Sequence, residues 1–342
     1  MKRLLTLILG LVMAVSTFTL FACNNEEEQK SSAVLVGLSN ATMVTPVADY
    51  DYFLVPEPAA TTKVNATGGK LQIAGSLQEL YGEGQGYPQA VLVAKKSVLE
   101  SDGAIAQQLV NSFAQNLAWL KDENVSSKTI VDAVVSALPS ETSPTFTEDN
   151  LSKTVISNCG IDFKSAQSSK NTVNSFMGKV NAVAESSFGT AQDRFFHSGE
   201  YNANVSDKTL SLYCPDGAPA LSVARLINDK TIIPNLDINA VVANTINSKV
   251  AGENPVADFC ILPVNVAVKL LGNANTYQML GVVTNGNLFI LKKQDGKNVT
   301  KQNAKEVLNN KKIGVINLAN VPGLTLKVVL KDLGVEYSEP TL

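Results

Sequence analysis

Ala257-Asp258-Phe259-Cys260-Ile261-Leu262-Pro263-Val264-Asn265 repeats, in layout, Tyr50-Asp51-Tyr52-Phe53-Leu54-Val55-Pro56-Glu57-Pro58. Each stretch holds an acidic residue, a four-residue apolar run and a proline that stops it, with a polar residue close behind. A short apolar run of this kind reads as a strand buried on both faces, the pattern of α/β proteins. In open α/β sheets, ligands sit beyond the carboxyl ends of the strands. Two such ends, one per sheet and facing each other, would frame a cleft between two lobes. The alternative is a coincidence between two ordinary strands.

Working outward, Ala33 to Gly37, Lys70 to Ala74 and Tyr87 to Ala94 also read as strands, the last leaving the Gly-rich Gly82 to Gly86. Ile105, Leu109, Phe113, Leu117 and Leu120 recur in steps of three and four, which predicts an amphipathic helix over 101–121. Further helices are expected over 127–138 and 169–185, separated by the Pro/Ser/Thr-rich Pro139 to Thr147. From Leu210 the texture is strand and helix in alternation. Leu210 to Cys214 is a strand, Ala220 to Ile227 a helix, and Val241-Val242 opens another strand. Asn265 to Leu271 and Gly323 to Leu333 are helices. Tyr277 to Val283 and Leu288 to Lys292 are strands broken by Asn285-Gly286, and Lys311 to Ile316 is the last strand. The expectation is an α/β fold with mainly parallel sheets.

The chain has 342 residues, 28 Lys+Arg against 31 Asp+Glu, and 45% hydrophobic residues. At roughly 150 residues per domain this length suggests two domains, or one in two lobes. A mean hydropathy of +0.07 with 17% charged residues is too apolar for a disordered chain. The near-neutral charge balance offers no general basic surface for nucleic acid. His197 is the only histidine, so a multi-histidine metal site is excluded.

Met1-Lys2-Arg3, the apolar run Leu4 to Leu20 and Leu20-Phe21-Ala22-Cys23 form an export signal. It resembles a bacterial lipoprotein signal, which implies cleavage after residue 22 and a diacylated Cys23. Two acyl chains give a stable membrane anchor. A transmembrane anchor or an ordinary cleaved signal are the alternatives. The polar stretch 23–30 would serve as a tether. Cys159, Cys214 and Cys260 remain, an odd number too widely spaced for a disulfide framework; Cys214 and Cys260, in apolar strands, are expected to be small buried side chains.

Leu212 to Leu221, Ala257 to Asn265, Gly281 to Leu291, Asp51 to Ala59 and Tyr87 to Val93 together carry a family likeness. The chain resembles the substrate-binding lipoproteins of ABC importers in the nitrate/sulfonate/taurine and thiamine-pyrimidine-precursor group, over most of its length past the signal. The resemblance implies a periplasmic-binding-protein-like (type II) two-lobe fold with an interlobe cleft. It also implies a small-molecule ligand and a partner ABC permease with its cytoplasmic ATPase, with no cofactor, no metal, no nucleic acid and no catalysis by what would be a monomer. The order departs from the family: its usual second half comes first, at about 31–203, and its first half follows at about 204–342. This suggests a circular permutation, with the old termini joined near Asn202 to Val205. A rearranged reading frame, or a fusion of two incomplete pieces, would produce the same order. The permuted fold implies one lobe from 31–86 and 311–342 and another from 87–310 with hinge-crossing strands. Leu212 to Cys214 should then share a lobe with Phe259 to Leu262, and Asp51 to Val55 with Lys312 to Ile316.

The resemblance places ligand contacts at strand ends and helix starts. Asp216 and Gly217 precede the helix from Ala220, where backbone N–H groups could hold an anionic or carbonyl group. Asn265 offers both donor and acceptor, and Thr284, Asn285 and Asn287 sit where a strand breaks. Asn320 and Thr325 flank the helix start at Pro322-Gly323, and Glu57 and Tyr87 complete the set. For each, capping or turn formation is the competing role, Asn285-Gly286 being a common turn pair. Beyond Arg3, only Arg194 and Arg225 exist, neither at a strand end, so a bidentate arginine clamp is not expected. A sulfonate held by helix N-termini and a small uncharged or cationic heterocycle both remain open. Trp119 and the phenylalanines at helical spacing read as packing. An enzyme using Asp216, Glu57 and Asp51 lacks a matching nucleophile. A surface interaction protein would show a solid, apolar lobe interface in place of a pocket.

Overall fold

The computed structural model describes residues 32–82 and 86–340; the signal, Cys23 and the tether lie outside the described residues. The described residues form twelve strands: β1 (Ala33–Leu38), β2 (Tyr52–Pro56), β3 (Leu71–Ser76), β4 (Ala90–Lys95), β5 (Ile161–Ser165), β6 (Leu210–Pro215), β7 (Leu236–Val241), β8 (Phe259–Pro263), β9 (Tyr277–Thr284), β10 (Leu288–Lys293), β11 (Lys312–Ile316) and β12 (Tyr337–Ser338). They make two six-stranded sheets, β12-β1-β11-β2-β10-β3 and β5-β9-β4-β8-β6-β7, with helices interspersed.

Both sheets are mixed, which corrects the expectation of mainly parallel pairing. β2 pairs β11 in parallel and β10 antiparallel; β8 likewise pairs β6 in parallel and β4 antiparallel. The strand order takes the chain between the sheets twice, over 77–89 and over 285–287, and the strand after each crossing enters its sheet antiparallel to its neighbours. Hence β10 lies in the first sheet, between β2 and β3. Asn285-Gly286 makes no hairpin but links two sheets. Val241 ends β7 instead of opening a strand. Each sheet draws strands from both sides of residue 204; β6 pairs β8 and β2 pairs β11, each within one sheet.

The apolar runs are buried on both faces. In β2, Tyr52 and Leu54 join one core cluster while Phe53 and Val55 join another. In β4, Val91 and Val93 face the first cluster, and Ala90, Leu92 and Ala94 face a third. The first cluster takes side chains from both sheets and from the helices Ala166–Asn181 and Val321–Asp332. Lys179 and Asp332 add an ion pair of 2.6 Å between those two helices.

The acidic residues of the two matched stretches have the same task. Asp258 Oδ2 accepts from Ser211 N at 3.0 Å and Ser211 Oγ at 3.1 Å, and its Oδ1 pairs with Lys95 Nζ at 3.1 Å. Asp51 Oδ2 accepts from Lys312 N at 2.9 Å and its Oδ1 pairs with Lys311 Nζ at 3.1 Å. Each carboxylate therefore satisfies a backbone N–H at the start of the neighbouring parallel strand. Hydrogen bonds to a charged group contribute about 1.5–3 kcal/mol when shielded from water, and the Asp258 side chain is 22% exposed against 39% for Asp51. Asp258→Ala is expected to cost about 2–3 kcal/mol in urea unfolding and Asp51→Ala about 1 kcal/mol or less. Equal costs would contradict this ranking.

Candidate functional site

Strand directions decide where a site can form. In the first sheet, the carboxyl ends of β1, β11, β2 and β3 share one edge with the amino end of β10, since Leu288 pairs Pro56 and Phe289 pairs Ser76. In the second, the carboxyl ends of β6 to β9 share an edge with the amino ends of β4 and β5. Only residues 285–287 separate Thr284 from Leu288, so the two edges adjoin.

The two crossings run side by side there. Tyr87 N donates to Asn285 O at 3.3 Å, Gln89 N to Thr284 O at 3.0 Å, and Val264 N to Gln89 O at 2.9 Å. Asn285 N donates to Gly160 O at 2.8 Å, tying in the start of β5. Gly86, Gly160 and Gly286 have φ of +65°, +61° and +98°. A Cβ on Gly86 would stand 2.0 Å from Asn285 O, and one on Gly160 2.2 Å from Gly286 O. Three backbone segments pass this closely only because these positions carry no side chain.

Polar side chains gather on this crossing. Buried Glu57 accepts from Thr61 N at 3.1 Å and Thr61 Oγ1 at 2.7 Å, capping the helix Ala59–Ala66, and from Asn158 Nδ2 at 2.8 Å. Glu57 N donates to Asn287 O at 3.1 Å, and Gln89 Nε2 donates to Asn287 Oδ1 at 2.9 Å. Beside these bonds lie buried polar atoms with no partner among the described residues: Gln89 Oε1, Asn265 Oδ1 and Thr284 Oγ1. Tyr87 stacks on Phe176 at 5.7 Å, and burial pushes its phenol well above the usual range, so it stays protonated. Leaving such groups unpaired costs about 1–3 kcal/mol each. A groove of about 470 Å³ opens beside the crossing, lined by Ser76, Gln78, Asn158, Asp162, Lys164 and Asn285 among others. That volume suits a small molecule, although the orphaned atoms lie outside its lining.

The expected residues thus divide. Glu57, Tyr87, Asn265, Thr284, Asn285 and Asn287 come together around the crossing. Asn285 is structural there, donating Nδ2 to Asp162 O at 2.9 Å. Asp216 and Gly217 lie along the same sheet edge, at the end of β6. The Asp216 carboxylate accepts from Thr145 N at 2.7 Å and Gly217 N at 2.8 Å, fixing the loop around Thr145. The helix expected over 220–227 is broken into Ala218–Leu221 and Ala224–Asn228. Asn116 supplies the reason: its amide takes Leu221 O at 3.0 Å and Arg225 N at 2.8 Å, two groups that would otherwise bond each other. One turn of helix makes a poor anion holder. Thr325 is fully buried, its hydroxyl bonded to Val321 O at 2.7 Å within its own helix, which places it in the core. Asn320 is exposed and stands at the start of the same helix, apart from the crossing. Gln89 and Asn158 belong to the site without a signal that singles them out. Gln89 sits inside the Tyr87 to Val93 stretch, and Asn158 precedes β5, whose Asp162 and Lys164 weaken the strand pattern.

Other chemistry is sparse. Asp51 and Glu57 stand at opposite ends of β2, so they form no carboxylate pair. Burial raises the thiols of Cys159, Cys214 and Cys260, which keeps them protonated and inert. Arg194 bonds Asn273 O and Arg225 bonds Gln115, both away from the crossing. Among the described residues no three His, Cys, Asp or Glu groups gather to hold a metal, and no helix is long and apolar enough to cross a membrane. No protein-family model matches the chain, and no curated protein matches it.

Proposed function

We propose that the chain is an extracytoplasmic solute-binding protein, anchored through a lipidated Cys23, that captures a small molecule between two lobes and delivers it to an ABC permease. The observation that carries this reading is the set of buried, unpartnered polar atoms on Gln89, Asn265 and Thr284 where two strand-end edges adjoin. A ligand with matching groups would remove their desolvation cost. The permuted order of the halves is part of the proposal, and the presence in each sheet of strands from both sides of residue 204 supports it.

A ligand that binds only the native state raises stability, by about 2.7 kcal/mol at a hundred times its dissociation constant. Thermal unfolding against alkanesulfonates, nitrate and small nitrogen heterocycles is expected to show such a rise without turnover; product formation with no rise would favour an enzyme. Cys23→Ser is expected to move the protein from the membrane fraction to the soluble fraction of an expressing bacterium. Retention at the membrane would contradict the lipid anchor.

One observation favours a second reading, a non-catalytic surface interaction protein. The first apolar cluster is continuous across both sheets, which would hold them fixed. On that reading no small molecule shifts the unfolding temperature.

A further inference from the structure

Resting on the binding reading above, we infer that the site takes an uncharged or cationic ligand rich in N–H donors and rejects anions. The hydrogen-bond network beside the orphaned atoms includes a residue with a buried carboxylate. Glu57 is 3% exposed, and all its hydrogen bonds come from neutral donors: Thr61 N, Thr61 Oγ1 and Asn158 Nδ2. Among the described residues no lysine or arginine pairs with it. It connects to the orphaned amide by two hydrogen bonds, Glu57 N to Asn287 O and Gln89 Nε2 to Asn287 Oδ1.

The usual anion holders are each otherwise engaged. The arginines bond Asn273 and Gln115. The helix after Gly217 is one turn long, and the Asp216 carboxylate already takes the Gly217 N–H. Lys164 borders the groove, but Asp162 stands 4.0 Å from its ammonium. An anion brought to the crossing would therefore meet a buried carboxylate that no cation pairs. The orphaned groups point the same way. Gln89 Oε1 and Asn265 Oδ1 are acceptors, and Thr284 Oγ1 can accept. Amide oxygens want donors, which a carboxylate or sulfonate lacks. An amide, amidine, aminoheterocycle or ammonium supplies them.

The test uses probes of one skeleton and different charge: nicotinate, nicotinamide and 3-(aminomethyl)pyridine, with ethanesulfonate and ethanesulfonamide as a second pair. Each is titrated against the folded protein by calorimetry and thermal unfolding at one pH. The neutral and cationic members are expected to bind at least tenfold more tightly than the anion of the same skeleton. Glu57→Gln is expected to narrow that gap, whereas a merely structural Glu57 would weaken all members alike and leave the ratio unchanged. Tighter binding of nicotinate or ethanesulfonate overturns this inference and leaves the binding reading standing. Binding by none of the five overturns the binding reading and the inference with it.

Discussion

Gly160→Ala is expected to cost about 2–5 kcal/mol of folding stability. Two penalties add. At φ +61° an L side chain costs roughly 1–2 kcal/mol. The new Cβ would stand 2.2 Å from Gly286 O, a backbone atom that cannot rotate away, and forcing such overlap costs a further 1–3 kcal/mol or so. Gly68→Ala supplies the control. Its φ is +57°, with no atom within 4 Å of the added Cβ, so only the first penalty applies. Urea unfolding of the two variants separates backbone conformation from close approach. Equal losses would mean that the three segments do not cross as closely as described. The position also matters to the site, because Gly160 holds Asn285 by its carbonyl and follows Asn158, the partner of Glu57.

The second large effect runs in opposite directions for stability and binding. Thr284→Val replaces an orphaned hydroxyl by a methyl of the same shape. Removing an unpaired buried polar group is expected to stabilise the free protein by about 1 kcal/mol. Asn265→Leu should act likewise on the second orphan. If these groups serve a ligand, each substitution leaves a ligand donor facing an apolar surface, and affinity should fall about tenfold to a hundredfold. Stability up and affinity down is the signature of a residue kept for function. Stability down with affinity unchanged would make both residues ordinary parts of the core.

Much of the fold is legible in the chain because its strands are short apolar runs with hard stops. Pro56 and Pro263 end β2 and β8, and the periodicity of Ile105, Leu109 and Phe113 marks the helix Gly103–Lys121. What stays hidden has a physical cause in each case. Ile161-Asp162-Phe163-Lys164-Ser165 alternates weakly because only Ile161 of β5 is buried. The break after Leu221 is made by Asn116, more than a hundred residues away in the chain, so no local signal could announce it. Pairing direction depends on where the two crossings send the chain, which a strand's own residues do not encode. Strand ends draw attention to Glu57, Asn265 and Thr284, which the structure brings together around the crossing. The same logic draws in Thr325, which lies in the core, since a threonine near a helix start looks alike whether its hydroxyl meets a ligand or the carbonyl four residues back.

Binding of a small molecule at the adjoining strand ends, through Gln89, Asn265 and Thr284, is tested most directly by calorimetric titration. The wild type and Thr284→Val are each titrated with nicotinamide and 3-(aminomethyl)pyridine. One saturable site is expected in the wild type, with affinity at least tenfold lower in the more stable Thr284→Val. Identical isotherms in the two proteins, or no heat in either, would contradict it.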